Sequence, residues 1–213
     1  DHVSTTATAA RPTRVLIIGQ GQLGHVLLHE LPGMGVAAEL SPDRIEDVFN
    51  GLAVPAHPPV VVNCAARTNT DWCEANAREC FATNAVAPYR LWLRLHALYG
   101  SRARLIHIST GCVYNGPYTA DGRPFGPSDP TEPAAFYSWS KAAADALLQA
   151  APGFVDGVAI IRPSGAYGRF DNFDEGTSHV LPGLINRALR LQPGEPFILW
   201  GDGRDVRDLI HAQ

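Results

Sequence analysis

Val15-Leu16-Ile17-Ile18-Gly19-Gln20-Gly21-Gln22-Leu23-Gly24 is the stretch on which the reading of this chain turns. Its first four residues, all apolar and mostly β-branched, read as a buried strand. Gly19, Gly21 and Gly24 then make a GxGxxG pattern that opens a helical segment running to Leu31. In that setting the glycines permit a tight turn and let the backbone approach a pyrophosphate, which meets the helix amino terminus. Gln22 and Leu23, within the loop, join the glycines as candidate dinucleotide contacts. The competing reading is steric: glycines that merely pack a strand–helix turn.

Working outward, strand-like apolar runs at 36–40, 60–62, 105–108 and 158–161 alternate with helical patterns. The helical patterns cover a short segment from Pro42, then 72–83, 85–98, 137–150 and 180–191. This alternation is the signature of βαβ units, so the chain is expected to be α/β, with a doubly wound parallel sheet of the Rossmann type. Continuous rather than alternating apolarity predicts helices over both sheet faces. Ligands of such sheets lie beyond the carboxyl ends of the strands. Residues 1–14 read as a flexible lead-in, 15–165 as the dinucleotide-binding domain, and 166–213 as the start of a small, apparently incomplete substrate-binding portion.

An acidic residue at the end of the second strand would hold the adenosine ribose. Glu39 is the candidate, but the interval from Gly19 to Val60 is short for two further strands with their helices. Glu39 to Asp43 could equally be the entry to a helix capped by Ser41. The choice between NAD and NADP therefore stays open at this position.

Composition narrows the classes. Apolar residues make up 46% of the 213 and charged residues 18%, with 17 basic against 21 acidic side chains and a net charge of -4. No stretch concentrates Lys and Arg, which argues against nucleic acid. No apolar run approaches the roughly 20 residues needed to span a bilayer. The first residues have no apolar core of a secretory signal. Cys64, Cys73, Cys80 and Cys112 show no CxxC spacing, so free thiols in a reducing compartment, by default the cytoplasm, are expected, and no metal site.

Tyr137-Ser138-Trp139-Ser140-Lys141 puts a phenol and an ammonium one helical turn apart on one face. A neighbouring cation is expected to favour the phenolate and lower the Tyr137 pKa. Such a Tyr exchanges a proton with an oxygen while hydride passes at the adjoining carbon. Thr110, at the end of the 105–108 strand, is placed to hydrogen-bond the same oxygen.

Taken together these motifs resemble the extended short-chain dehydrogenase/reductase (NAD-dependent epimerase/dehydratase) family. The resemblance runs from Val15 to His211. Its pieces are the glycine loop, Asn63-Cys64-Ala65-Ala66, Ser109-Thr110-Gly111-Cys112-Val113-Tyr114, the Tyr137–Lys141 pair, and Arg162-Pro163-Ser164-Gly165-Ala166-Tyr167-Gly168. It implies that Thr110, Tyr137 and Lys141 are the catalytic trio. It also implies that Cys64, Ala65, Ala66, Asn84, Lys141 and Pro163 line the cofactor, NAD or NADP with a lean to NADP. The substrate class implied is a nucleotide-activated sugar, and the assembly a homodimer.

Within that family the dehydratases carry Asp and Glu where this chain has Gly111 and Cys112, which argues against loss of water. The downstream pieces Asp171-Asn172-Phe173, Ser178-His179-Val180-Leu181-Pro182-Gly183-Leu184 and Trp200-Gly201-Asp202-Gly203 resemble sugar-nucleotide epimerase-reductases. That resemblance implies Cys112 and His179 as proton-exchanging groups beside a C4 ketone, with Asn172, Arg187 and Arg207 on the substrate. Cys and His have reference pKa values of about 8.5 and 6.5, suited to such exchange near neutrality. The segment 65–71 is instead more like plain 4-keto-sugar reductases. Family members also continue past Arg207-Asp208-Leu209-Ile210-His211 into a longer substrate domain, so a partial or reduced member is expected. Three functions therefore stand: a reductase or epimerase-reductase of a 4-keto-6-deoxy sugar nucleotide, a simple 4-epimerase or reductase with passive Cys112 and His179, and a non-catalytic dinucleotide-binding regulatory subunit.

Overall fold

A computed structural model describes residues 15–31, 35–37, 40–50, 60–116, 118–174, 176–199, 201–204 and 206–213. The predicted lead-in 1–14, Glu39 and Trp200 lie outside them. Among the described residues the chain builds a parallel sheet in the order β2-β1-β3-β4-β5. Its strands are β1 (Val15–Ile18), β2 (Gly35–Ala37), β3 (Val60–Asn63), β4 (Arg104–Ile108) and β5 (Val158–Ile161). Along the chain one described strand, β2, comes between β1 and β3, in keeping with the short interval after the glycine loop. Ser41 does precede a helical turn, Pro42–Arg44, but its side chain makes no capping bond.

The central strands are buried on both faces, with Leu16, Ile17, Ile18, Val61, Val62 and Leu105 at most 6% exposed. Helices α1 (Gln22–Glu30), α2 (Ile45–Asn50), α3 (Thr70–Ala75), α4 (Ala77–Phe81), α5 (Ala87–Tyr99) and α6 (Phe136–Gln149) flank them. Leu91, Trp92 and Leu95 of α5 and Leu148 of α6 are fully buried in the cluster that includes Leu16, Ile18, Val61 and Leu105. Burying an aliphatic or aromatic side chain of this size stabilises by about 1.5–3 kcal/mol each. The Trp92 indole also donates to the Pro152 carbonyl at 2.9 Å, so its one polar atom is satisfied. The short α7 (Phe154–Gly157) leads into β5.

Three expectations need correction. The helix predicted over 72–83 breaks at Asn76, whose side chain donates to the Trp72 carbonyl at 2.9 Å and competes with the helical ladder. A π-helical turn, Ala82–Val86, then joins α4 to α5 without a gap. Pro88, with no N–H, cannot donate to the Asn84 carbonyl, and the Ala87 N–H reaches back to Ala82 instead. The helix cover over both sheet faces fails at the edge strand β5, where Ala159 and Ile161 are exposed and Val158 and Ile160 pack inward. Beyond Arg162, where one helix among loops was expected, α8 (Val180–Arg190) is accompanied by β6 (Gly165–Tyr167) and β7 (Leu209–His211), paired in parallel.

Candidate active site

The sheet places four loops side by side, because its backbone ladder continues past the strands. Cys64 N–H donates to Ile18 at 2.7 Å, Ser109 N–H to Ile161 at 2.7 Å, and Gly111 N–H to Pro163 at 2.7 Å. The segments after β1, β3, β4 and β5 therefore meet at one end of the sheet. Beneath them Asn63 accepts from the Ala65 N–H at 3.1 Å and lies 3.1 Å from His107 Nδ1, both side chains fully buried. Burial holds His107 well below the usual imidazole range, with the Lys141 charge acting in the same direction.

The glycine loop is shaped by close approach. Gly19 has φ +106°, and a Cβ there would stand 2.5 Å from Ala65 N. At Gly24 a Cβ would lie 2.0 Å from the Gly19 carbonyl oxygen. Gly21, which caps α1, differs: a Cβ there meets nothing within 4 Å. The amino terminus of the nine-residue α1 thus opens onto free space, with its unpaired N–H groups and dipole favouring an anion. Gln22 Nε2 is buried there without a partner among the described residues. Leu23 is half-buried beside it, as are Cys64, Ala65 and Ala66 across the loop. This donor-lined cradle fits a dinucleotide pyrophosphate.

Thr110, Tyr137, Lys141 and Cys112 come together next to it. Thr110 is 8% exposed and caps a short 3-10 turn, Gly111–Val113, its Oγ1 accepting from Cys112 N–H at 3.2 Å. The Thr110 hydroxyl faces the Tyr137 phenol and favours its ionised form, but burial prevails and pushes the phenol up to about 12. The downward shift expected from a neighbouring cation is therefore corrected. Lys141 is 1% exposed and its Nζ donates to the Ile108 carbonyl at 2.7 Å. Burial lowers its ammonium to about 8. The Cys112 thiol is exposed and close enough to oppose ionisation of Tyr137. The first turn of α6 is fixed from outside, since Phe136 N–H donates to the Glu74 carboxylate of α3 at 2.7 Å.

Asn84 is fully buried in the π-helical turn. It accepts from Arg67 N–H at 2.8 Å and donates to Arg67 O at 2.9 Å and Ser140 Oγ at 3.0 Å. Asn84 is thus a brace between the loop after β3 and α6. Its side chain, fully buried, is taken up by these partners.

The downstream residues lie on α8 and the segments around it. His179 caps α8, and its Nδ1 lies 3.8 Å from the buried Asp171 carboxylate. Asn172 bonds Thr177 Oγ1 at 2.8 Å and the Asp174 N–H at 2.9 Å, shaping its own turn. Arg187 donates to the Ile198 carbonyl at 2.7 Å, and Arg207 is exposed.

Sequence reasoning missed a network behind the site. Asp145, one turn after Lys141, accepts from Ser109 Oγ at 3.0 Å and from Arg162 Nε at 2.8 Å. Arg162 Nη1 continues to the Tyr114 hydroxyl at 2.6 Å and the Pro127 carbonyl at 3.2 Å. Tyr114 in turn stacks on Phe125 at 4.6 Å and donates to Gly126 O at 2.9 Å. An acid four residues beyond a lysine on a helix was the available signal.

Among the described residues no cluster could hold a metal ion, and no helix is long and apolar enough to cross a membrane. The NAD dependent epimerase/dehydratase family model matches residues 15–213. A dTDP-4-dehydrorhamnose reductase of Mycobacterium tuberculosis (strain CDC 1551 / Oshkosh) is 37% identical over 165 residues, covering 75% of this chain and 52% of that protein. A probable GDP-L-fucose synthase 1 of Oryza sativa subsp. japonica is 27% identical over 221 residues, covering 93% of this chain and 64% of its own. The chain spans about half the length of the curated relatives it matches first, 52% to 54%. In fold it is similar to a UDP-glucose 4-epimerase of Thermotoga maritima solved with UDP-glucose, with TM-score 0.74, 20% identity, and coverage of 93% of this chain and 69% of the other. The glycine cradle, the Thr110–Tyr137–Lys141 grouping and a match over residues 15–213 lead to one conclusion: this chain belongs to the NAD dependent epimerase/dehydratase family.

Proposed function

We propose that the chain is the dinucleotide-binding and catalytic part of an NAD(P)-dependent enzyme that reduces, or epimerises and reduces, a nucleotide-activated 4-keto-6-deoxy sugar. The observation that carries this reading is the grouping of Thr110, Tyr137 and a fully buried Lys141 at the end of the sheet where the open amino terminus of α1 follows β1. A dinucleotide-binding regulatory subunit has no need of all three.

Gly19, Gly21, Gln22, Leu23 and Gly24 would hold the pyrophosphate, Cys64 to Ala66 and Pro163 the adjoining walls, and Lys141 the nicotinamide ribose. When bound, a reduced nicotinamide would supply the hydride for the sugar C4. Tyr137, whose phenol keeps its proton well above neutral pH, is suited to give that proton to the ketone oxygen. Thr110 donates a hydrogen bond to the same oxygen, and its fixed position orients the substrate. Cys112, exposed next to Tyr137, exchanges protons at the carbons flanking the ketone, with His179 as the second group. Asn172, Arg187 and Arg207 are proposed for the substrate arm, where guanidinium groups suit phosphate oxygens. Four free thiols fit a cytoplasmic setting, and a homodimer is the proposed assembly.

The test is turnover of 4-keto-6-deoxy sugar nucleotides with NADPH and NADH by the chain and its Tyr137→Phe variant. A drop of at least about a hundredfold with dinucleotide binding retained is expected; undiminished turnover would sink the assignment. Solvent deuterium entering C3 or C5 of the product, lost on Cys112→Ser, is expected for the epimerase-reductase. Its absence with an intact rate identifies a simple reductase.

A further inference from the structure

Helix α6 carries two ionisable side chains one turn apart, Lys141 at 1% and Asp145 at 2% exposure. Buried charges are costly unless each has a partner. Asp145 Oδ2 is held by Ser109 Oγ at 3.0 Å from the end of β4 and by Arg162 Nε at 2.8 Å from the end of β5. Its other oxygen, Oδ1, is buried with no hydrogen-bond partner among the described residues. The further titratable groups that face Lys141 are Cys64 after β3, Cys80 on α4 and His107 on β4. Burial pushes Cys64 up to about 11 and keeps His107 uncharged. Asp145 is the one carboxylate among these groups, and its Oδ2 is fixed by two donors. Burial raises the Asp145 carboxyl above the ordinary range, while Arg162 and Ser109 favour its ionised form.

We infer that Asp145 is the positioning residue of this site: clamped by Ser109 and Arg162, its carboxylate keeps the buried Lys141 ammonium charged and in place below Tyr137. The inference rests on Lys141 belonging to the proposed hydride-transfer site and adds the group that governs it. Burial is the largest influence on Lys141 and Asp145 the largest opposing one. Without that negative charge the ammonium gives up its proton at lower pH, and the cation available to the ribose is lost within the working range. The clamp also explains why the acid sits on α6: it ties the helix carrying Tyr137 to the backbone that carries Thr110.

Lys141 is the only lysine in the 213-residue chain, so lysine labelled at Cε and Nζ gives a single side-chain NMR signal. Titration of the dinucleotide-free chain reads that signal directly. Asp145→Asn is expected to move the Lys141 midpoint down by about one pH unit or more. Asp145→Glu, which restores the charge, is expected to return it to within about half a unit of the parent. An Asn variant that titrates like the parent overturns the inference. Should the Asn protein fail to fold, the unsubstituted chain decides. A second, acidic inflection of the Lys141 signal, where Asp145 takes up its proton, supports the pairing, and a flat acid arm overturns it. Because the signal is read without turnover, its outcome is separate from that of Tyr137→Phe, which tests the reaction itself.

Discussion

Gly21→Ala separates folding from dinucleotide binding more cleanly than any other change in the glycine loop. Gly21 has φ -75° and ψ -177°, extended backbone that any L-residue adopts, and its added Cβ meets nothing within 4 Å. The cost to the folded chain is confined to the weaker capping preference of Ala, about 0.5–1 kcal/mol, which lowers Tm by only about 1–4 °C in a chain of this size. Gly24→Ala is the contrast, because its methyl would stand 2.0 Å from the Gly19 carbonyl and 3.0 Å from its carbon. Backbone must move there, and a loss of several kcal/mol is expected, of the order seen for overpacking or more. The new methyl at Gly21 points into the space assigned to the pyrophosphate. Loss of that approach is expected to weaken binding by about thirtyfold, roughly 2 kcal/mol. At a dinucleotide concentration a hundredfold above the parent Kd, ligand stabilises the parent by about 2.7 kcal/mol but the variant by only about 0.9 kcal/mol. Fluorescence titration with NADPH and NADH, paired with melting curves with and without ligand, measures both quantities. A Gly21→Ala chain that melts like the parent and binds with the parent's Kd would refute the placement of the pyrophosphate at α1.

The brace and the buried imidazole make two further predictions. Asn84→Leu removes the partners of Arg67 N–H, Arg67 O and Ser140 Oγ. A loss of about 2–4 kcal/mol in denaturant unfolding is expected from orphaned buried groups, and a loss under about 0.5 kcal/mol would show that the brace is dispensable. His107 is depressed in the folded chain, so below its unfolded pKa of about 6.5 the unfolded state binds the extra proton. Stability from this group is present above about pH 6.5 and falls with pH below it, by up to about 1.4 kcal/mol per unit. His107→Gln, measured by denaturant unfolding at pH 7.5 and 5.5 (about one unit either side of the reference value), is expected to flatten that dependence; an unchanged slope counts against it.

The parts of the fold legible in the sequence are those whose signal is local. β1 and β3 announce themselves as continuous apolar runs because both their faces are covered, and the glycine spacing marks the turn into α1. β6 and β7 gave no such signal: each is three residues long, and β7 is exposed throughout. Their pairing joins Gly165 to Leu209 across the chain, a contact no periodicity records. β5 misled in the other direction, since Ile161 is apolar yet 47% exposed at the sheet edge. In the site, the Tyr137–Lys141 spacing located the chemistry but gave the wrong sign for the Tyr137 pKa. Helical spacing shows which groups are near, whereas the balance between a cation and desolvation depends on depth. Asp145 was within reach of the same reasoning as an acid one turn from Lys141. Its partners Ser109 and Arg162 arrive from the ends of two strands, and only the sheet register brings them there.

The extension of the β4–β5 ladder past both strand ends has a consequence for rate as well as shape. Thr110 lies between two backbone bonds, Ser109 to Ile161 and Gly111 to Pro163, each 2.7 Å long. Its hydroxyl is therefore presented from rigid sheet, although the residue itself belongs to a loop. A donor held this way has no search to complete as negative charge builds on a substrate oxygen, and little reorganisation energy to supply. Water or a mobile serine at the same spot would have to turn toward that charge during the reaction; in the proposed role Thr110 would meet it from a fixed backbone.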